Sequence, residues 1–149
     1  VGTSLLVVLM SEVGTGGDLR AHFPTAERFC SWLGLCPDNR ISGGQVLSAR
    51  TRPVKNRLAA ALRMCALGVA NAKSKMGEYS RRMKGRLGKA EGITATAHKI
   101  ARIIYAMITT GKPYDEEQAF KVSPAGKARQ LQRLQKQAAS MGLALVAAD

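Results

Sequence analysis

The chain has 149 residues, of which 46% are apolar and only 5% aromatic, enough for one compact domain with a real core. Its 23 lysines and arginines outnumber 10 acidic residues, for a net charge of +13, and a domain that tolerates such self-repulsion is expected to meet an anionic partner. Three cysteines without a CxxC pair, and two histidines far from them in sequence, exclude a zinc-site pattern.

The charge is local. Residues 1–39 hold two basic and four acidic side chains, residues 40–102 fifteen and two, and residues 103–149 six and four. The whole excess lies in the middle segment, which points to nucleic acid. An odd number of cysteines among apolar neighbours suggests reduced, mostly buried thiols in a cytoplasmic protein.

The opening "VGTSLLVVLMSEVG" has no positive leader, and Ser11 and Glu12 break its apolar run. It reads as neither a signal peptide nor a membrane span, and no membrane partner is expected. A start at Val1 suggests a piece cut from something longer. The first helix is expected over Thr3–Val13, nearly all apolar and therefore buried, ending at the Gly14–Gly17 cluster. A short second helix is expected to begin at Pro24, with Phe29, Trp32 and Leu33 as its adhesive face. "GLCPDNRISGG" then reads as loop, rich in Gly, Pro, Asp and Asn.

Pro53 can open a third helix through "VKNRLAAALRMCALGVANA", where Leu58, Leu62, Cys65 and Val69 make a stripe. Residues 74–88 read as a basic helix with Met76, Met83 and Leu87 facing inward. "EGITATAHKIARIIYAMITTG" follows, with a seam of Ile93, Ala97, Ile100, Ile104 and Met107, and Gly111 and Pro113 stop it. Residues 114–123 read as linker. From Pro124 to Met141 a last helix carries Leu131, Leu134, Ala138 and Met141 on one face. No strand pattern is evident, so the expected fold is all-α: a helical core over 1–113, and over 124–149 a C-terminal amphipathic helix suited to oligomerisation.

Most catalytic constellations are absent. His98 stands beside Lys99 and Arg102 and reads as a polar-face residue, not a partner for a catalytic serine. Asp115, Glu116 and Glu117 form the only acidic cluster, in the linker, where solvated charge is the ordinary explanation; no metal-ligating residue is assigned. "GTGGDLR" lacks the lysine and spacing of a phosphate-binding loop.

Ser42 differs. A serine hydroxyl can attack a phosphodiester when cations neutralise the transition state, and arginine grips two phosphate oxygens at once. Arg40, Arg50, Arg52, Lys55 and Arg57 surround it in sequence. Gly43 and Gly44 would let the backbone approach a phosphate without a Cβ.

The ordered series in "GDLRAHFPTAERFCSWLGLCPDNRISGGQVLSARTRPVKNRLAAALRMCAL" resembles the C-terminal domain of the insertion-sequence transposases whose N-terminal half is a RuvC-like DEDD domain. Those proteins are similar in an F-x-S/A-x-x-G-L-x-P segment, then S-G-G, then a basic stretch leading into an Ala/Leu-rich helix. "ITATAHKIARIIYAMITTGKPYD" also looks like their downstream helix with its GxPY ending. The resemblance implies that Ser42 is the nucleophile of a phosphoserine link to DNA, and that Arg40, Gly43, Gly44, Arg50, Arg52, Lys55 and Arg57 lie at the nucleic-acid contact. It implies a structured guide RNA, a homo-oligomer of the full protein, and a helix-hairpin-helix element of which "VGTSLLVVLM" is the tail. It also implies Mg²⁺ in the N-terminal domain. The DEDD carboxylates are missing from this sequence, and "VLSARTRPVKNR" only approximates the family's stretch after the glycine pair. The chain alone is therefore expected to be catalytically incomplete. The other class of function that the residues allow is a non-catalytic helical module binding DNA or RNA through its basic middle.

Overall fold

A computed structural model of the chain describes residues 3–14, 16–48, 50–122 and 124–146; the ends of the expected first and last segments, 1–2 and 147–149, lie outside them. Among these residues eight helices and one two-stranded hairpin occur, so the fold is all-α. The chain divides into two units, one ending at Tyr114 and one starting at Asp115.

In the first unit the order is α1 (Thr3–Val13), α2 (Gly16–His22), α3 (Ala26–Trp32), β1 (Arg40–Ser42), β2 (Gln45–Ser48), α4 (Arg57–Val69), α5 (Lys75–Leu87) and α6 (Lys89–Thr110). Helix α6 is the spine, and α2, α3, α4 and α5 all pack on it, while α1 packs on α4. Its buried face is Gly92, Thr96, Ala97, Ile100, Ala101 and Tyr105. Ile93, Ile104 and Met107, expected on the seam, are only half-buried. Small residues explain the rotation. A Cβ on Gly92 would stand 2.6 Å from Lys84 Cα and 2.7 Å from Lys84 N, so α5 and α6 touch backbone to backbone there. Thr96, fully buried, donates its hydroxyl to the Gly92 carbonyl at 2.7 Å.

The other contacts follow the same logic. Phe29, Leu33, Leu58 and Leu62 are at most 1% exposed, and each contributes about 1.5–3 kcal/mol of burial. Phe29 meets Phe23 edge-on at 5.4 Å and Tyr105 at 5.8 Å, joining α3 to α6, and the Tyr105 hydroxyl donates to the Phe23 carbonyl. Arg81 of α5 donates to the Ala70 and Ala72 carbonyls at 2.8 and 3.2 Å, satisfying orphan acceptors at the end of α4.

Several expectations need correction. Helix α1 has the expected bounds but is amphipathic: Leu5 and Leu9 are buried, while Val7 and Met10 are 65% and 58% exposed. The glycine cluster does end α1, with Gly14 at φ +75°, but a helix not expected there, α2, begins at Gly16. Helix α3 starts at Ala26, two residues after Pro24, because the Thr25 hydroxyl accepts from the Arg28 N–H and caps it. Asn56, not Pro53, opens α4, its side chain accepting from the Ala59 N–H at 3.0 Å. In α4, Ala59 and Ala66 join Leu58 and Leu62 in the core, and Cys65 and Val69 are half-buried. Leu87 is exposed where an inward position was expected.

The second unit holds α7 (Glu116–Ala119) and α8 (Pro124–Ser140). Helix α7 forms because the Asp115 carboxylate accepts from the Glu117 and Gln118 N–H groups. No residue of α8 is buried.

The Gly92 contact is directly testable. Gly92→Ala should lower stability by about 1–3 kcal/mol in urea denaturation, because backbone must move to admit the methyl. Gly85→Ala, in α5 with nothing within 4 Å of an added Cβ, should raise it by up to about 1 kcal/mol. Equal effects of the two substitutions would mean that α5 and α6 do not make this close approach.

Candidate nucleic-acid interface

The segment expected to be loop is a hairpin at its centre. Ser42 pairs with Gln45, Ile41 with Val46 and Arg40 with Ser48, leaving Leu47 as an extra residue in the register. Gly43 and Gly44 form the two-residue turn with φ of +57° and +77°. Two positive φ values are what a tight hairpin turn of matching twist requires, and only glycine adopts them without strain. No atom lies within 4 Å of a Cβ added at either glycine, so the turn is also open to an approaching ligand. The hairpin escaped sequence reading because three-residue β1 has no measurable alternation and is exposed throughout.

Ser42 is exposed at the last position of β1, and among the described residues its hydroxyl has no hydrogen-bond partner. Arg40 lies two residues earlier on the same strand and therefore on the same face. At the foot of the hairpin the Asp38 N–H donates to the Arg50 carbonyl at 2.9 Å, and Pro37 pairs with Thr51. Five residues at strand rise separate Ser42 from that level, roughly 16 Å.

The cations run along the segment and do not ring the serine. Arg40, Arg50 and Lys55 are exposed. Arg52 donates to the Ser31 carbonyl at 3.3 Å, and Arg63 of α4 donates to the Gly34 carbonyl at 3.3 Å. The first bond holds the basic segment, and the second holds α4, against the end of α3, where a Cβ on Gly34 would strike Val54 at 2.5 Å. Arg57 pairs with Glu12 of α1 at 2.8 Å. Its side chain is 76% exposed, and such an ion pair contributes little, so a phosphate can compete for Arg57.

Beside the foot of the hairpin lies a cavity of about 600 Å³. Pro37, Arg50 and Thr51 form one wall; Tyr79 and Leu87 of α5 form another; Glu91, Thr94 and His98 of α6 close it. Lining this cavity is why Leu87 is not in the core. His98, expected on a polar face, is half-buried here. Burial, with Arg102 and Lys99 acting the same way against Glu27, holds its imidazole below the usual value. The neutral form is thereby favoured, and in that form one ring nitrogen accepts. Burial raises the Tyr79 hydroxyl, opposed by Arg82 and Arg86, and the Arg82 guanidinium stands 5.7 Å from the Tyr79 ring centre. Sequence reasoning missed Tyr79, although one aromatic among the cations of "EYSRRMKGR" was the available signal.

No group of three His, Cys, Asp or Glu side chains among the described residues could hold a metal ion. The Asp115 carboxylate is already engaged as a helix cap. The resemblance places Mg²⁺ in the N-terminal domain and not on these residues, and no step at this site is routed through it. Among the described residues no helix is long and apolar enough to cross a membrane.

An exposed serine on a glycine-turned hairpin, set on a basic helical domain, fits proteins that work on DNA strands, and comparison with known families identifies the class as transposases. The model of the transposase IS116/IS110/IS902 family matches residues 1–81, more than half of the sequence, and the chain belongs to that family. The match includes the hairpin and ends within α5, so the likeness read in 93–115 lies beyond it. No curated protein and no solved structure matches the chain.

The cysteines are not competing nucleophiles of equal standing. Cys30 is fully buried, and burial pushes its thiol up to about 12, so at pH 8 the thiolate fraction is on the order of one in ten thousand. Iodoacetamide at pH 8 should modify half-buried Cys65 while Cys30 stays unmodified until the chain is unfolded, as read by peptide mass. Equal labelling of Cys30 in the folded protein would contradict the packing of α3 on α6.

Proposed function

We propose that this transposase domain carries the nucleophile of strand exchange, and that the nucleophile is Ser42. The observation that carries the reading is the placement of Ser42: exposed at the turn of a hairpin that stands off the helical body, with Arg40 on the same face. In the proposed step the Ser42 Oγ–H loses its proton, Oγ bonds to phosphorus, and the bond from phosphorus to one deoxyribose oxygen breaks. That oxygen takes a proton as it leaves. The phosphodiester free energy is kept in the Ser–O–P bond, so a second strand end can reverse the step and join without a high-energy cofactor. Arg40 neutralises the charge that builds on the non-bridging oxygens, while Arg50, Lys55 and a released Arg57 hold the flanking phosphates.

Ser42 has no base beside it among the described residues. The acid and base are proposed to come from the RuvC-like DEDD domain of the parent protein, whose carboxylates would hold Mg²⁺. A guide RNA pairing with donor and target DNA, and assembly of the full protein as a homo-oligomer, belong to the same proposal. The unpartnered hydroxyl also suits a second reading, in which the domain binds nucleic acid without chemistry and Ser42 is only a hairpin residue.

The two readings separate in the intact transposase with its guide RNA and DNA. Ser42→Ala should abolish the covalent protein–DNA adduct on denaturing gels while DNA binding stays within about twofold, since phosphate contacts carry most of the affinity. An adduct formed by Ser42→Ala at the wild-type level would show that Ser42 is not the nucleophile and leave it as a hairpin residue.

A further inference from the structure

The cavity at the foot of the hairpin is not used by the reaction at Ser42. We propose that it receives an unpaired base of the DNA strand, a few nucleotides from the phosphate at Ser42. The choice of DNA as the occupant rests on the reading of Ser42 given above; the choice of a base rests on the cavity itself.

Its volume of about 600 Å³ lies in the range of small-molecule sites, roughly 300–1,000 Å³. Leu35, Pro37 and Leu87 supply apolar walls suited to the faces of a flat ring, with Tyr79 as an aromatic surface. At the edges stand groups that a base edge can use. The neutral imidazole of His98 both donates and accepts, the Thr51 hydroxyl does the same, and the Glu91 carboxylate accepts from an amino group.

The charge around the cavity selects the rest of the ligand. Arg50 is in the wall, Arg82 stands 5.7 Å from the Tyr79 ring centre, and Arg86 acts on the Tyr79 hydroxyl. An aromatic surface among cations is how proteins hold unpaired nucleotides, the ring stacking with the base and the cations following the phosphates. A free apolar metabolite would not need three arginines, and a paired duplex offers no base to fill the space. The roughly 16 Å along the hairpin to Ser42 is about five duplex rises of 3.4 Å, so one strand can reach both places. Taking a base out of the stack costs a few kcal/mol, and the cavity would offset this cost close to the attacked phosphate.

The test uses the full chain and two fluorescein-labelled oligothymidylates of equal length. One is intact and the other carries abasic tetrahydrofuran units at its central positions, so the phosphates are the same. Fluorescence anisotropy should give at least about tenfold tighter binding of the intact strand, the size of one base–aromatic stack. Tyr79→Ala should bring that ratio close to one while leaving affinity for the abasic strand unchanged, and Tyr79→Phe should preserve it. Ala90→Trp, which fills the cavity from its exposed rim, should abolish the ratio in a chain whose circular dichroism matches the wild type. Equal binding of the two strands by the wild type, or equal weakening of both by Tyr79→Ala, would overturn the proposal. Tighter binding of an oligouridylate of the same length would overturn the assignment to DNA. Ser42→Ala should keep the ratio in this chain while losing the adduct in the intact transposase, so the cavity and the nucleophile fail separately.

Discussion

The close approach of α5 and α6 at Gly92 is the contact on which the first unit depends. Helix α6 is the surface on which α2, α3, α4 and α5 come together, and it can be that surface because Gly92, Thr96, Ala97 and Ala101 give it a flat face. A bulkier seam would hold the helices farther apart and open voids between them, with the loss of contact energy that voids bring. The family match ends at residue 81, before α6 begins. The hairpin and the basic segment thus belong to the matched portion, while the helix that completes their core lies beyond it.

The site is built outward from that core. Arg52 fastens the basic segment, and Arg63 helix α4, to the end of α3 through the carbonyls of Ser31 and Gly34. Arg52 is thus engaged in the structure, although the sequence offers no distinction between it and Arg40 or Arg50. What remains free is a line of cations leading from the start of α4 to the hairpin. A hairpin packed chiefly against itself presents Ser42 beyond the helical body, where a DNA strand can reach it. The same exposure leaves Ile41 and Leu47 uncovered, 62% and 68% accessible, which suits a surface that meets another domain or the nucleic acid.

Much of this was legible in the residues. Long amphipathic or apolar runs revealed α1, α4, α5, α6 and α8, and α1 was placed with its observed bounds, because 3.6-residue periodicity accumulates over ten residues or more. Seven-residue α2 and four-residue α7 were not read, being too short to show it. Helix starts were misplaced where a side-chain cap, Thr25 or Asn56, outweighed a nearby proline. The buried face of α6 was read correctly at Ala97 and Ile100 but not at Ile93, Ile104 and Met107, since hydrophobicity marks those positions while packing selects Gly92, Thr96, Ala101 and Tyr105. The hairpin was missed because three residues are too few for alternation to show. The Gly-Gly pair was read for its lack of side chains and not for its positive φ. The cavity could not be read at all: Pro37, Tyr79 and His98 are brought together only by the fold.

The central claim concerns one oxygen atom, and the covalent adduct can be mapped to it. Intact transposase would be trapped on DNA, digested with trypsin and nuclease, and the nucleotide-bearing peptide fragmented in the mass spectrometer. Trypsin releases Ile41 to Arg50 as one peptide, which contains both Ser42 and Ser48, so the fragment ions must divide them. The account predicts the nucleotide mass on Ser42. Its appearance on Ser48, on Tyr79, or on any residue outside this peptide would contradict it.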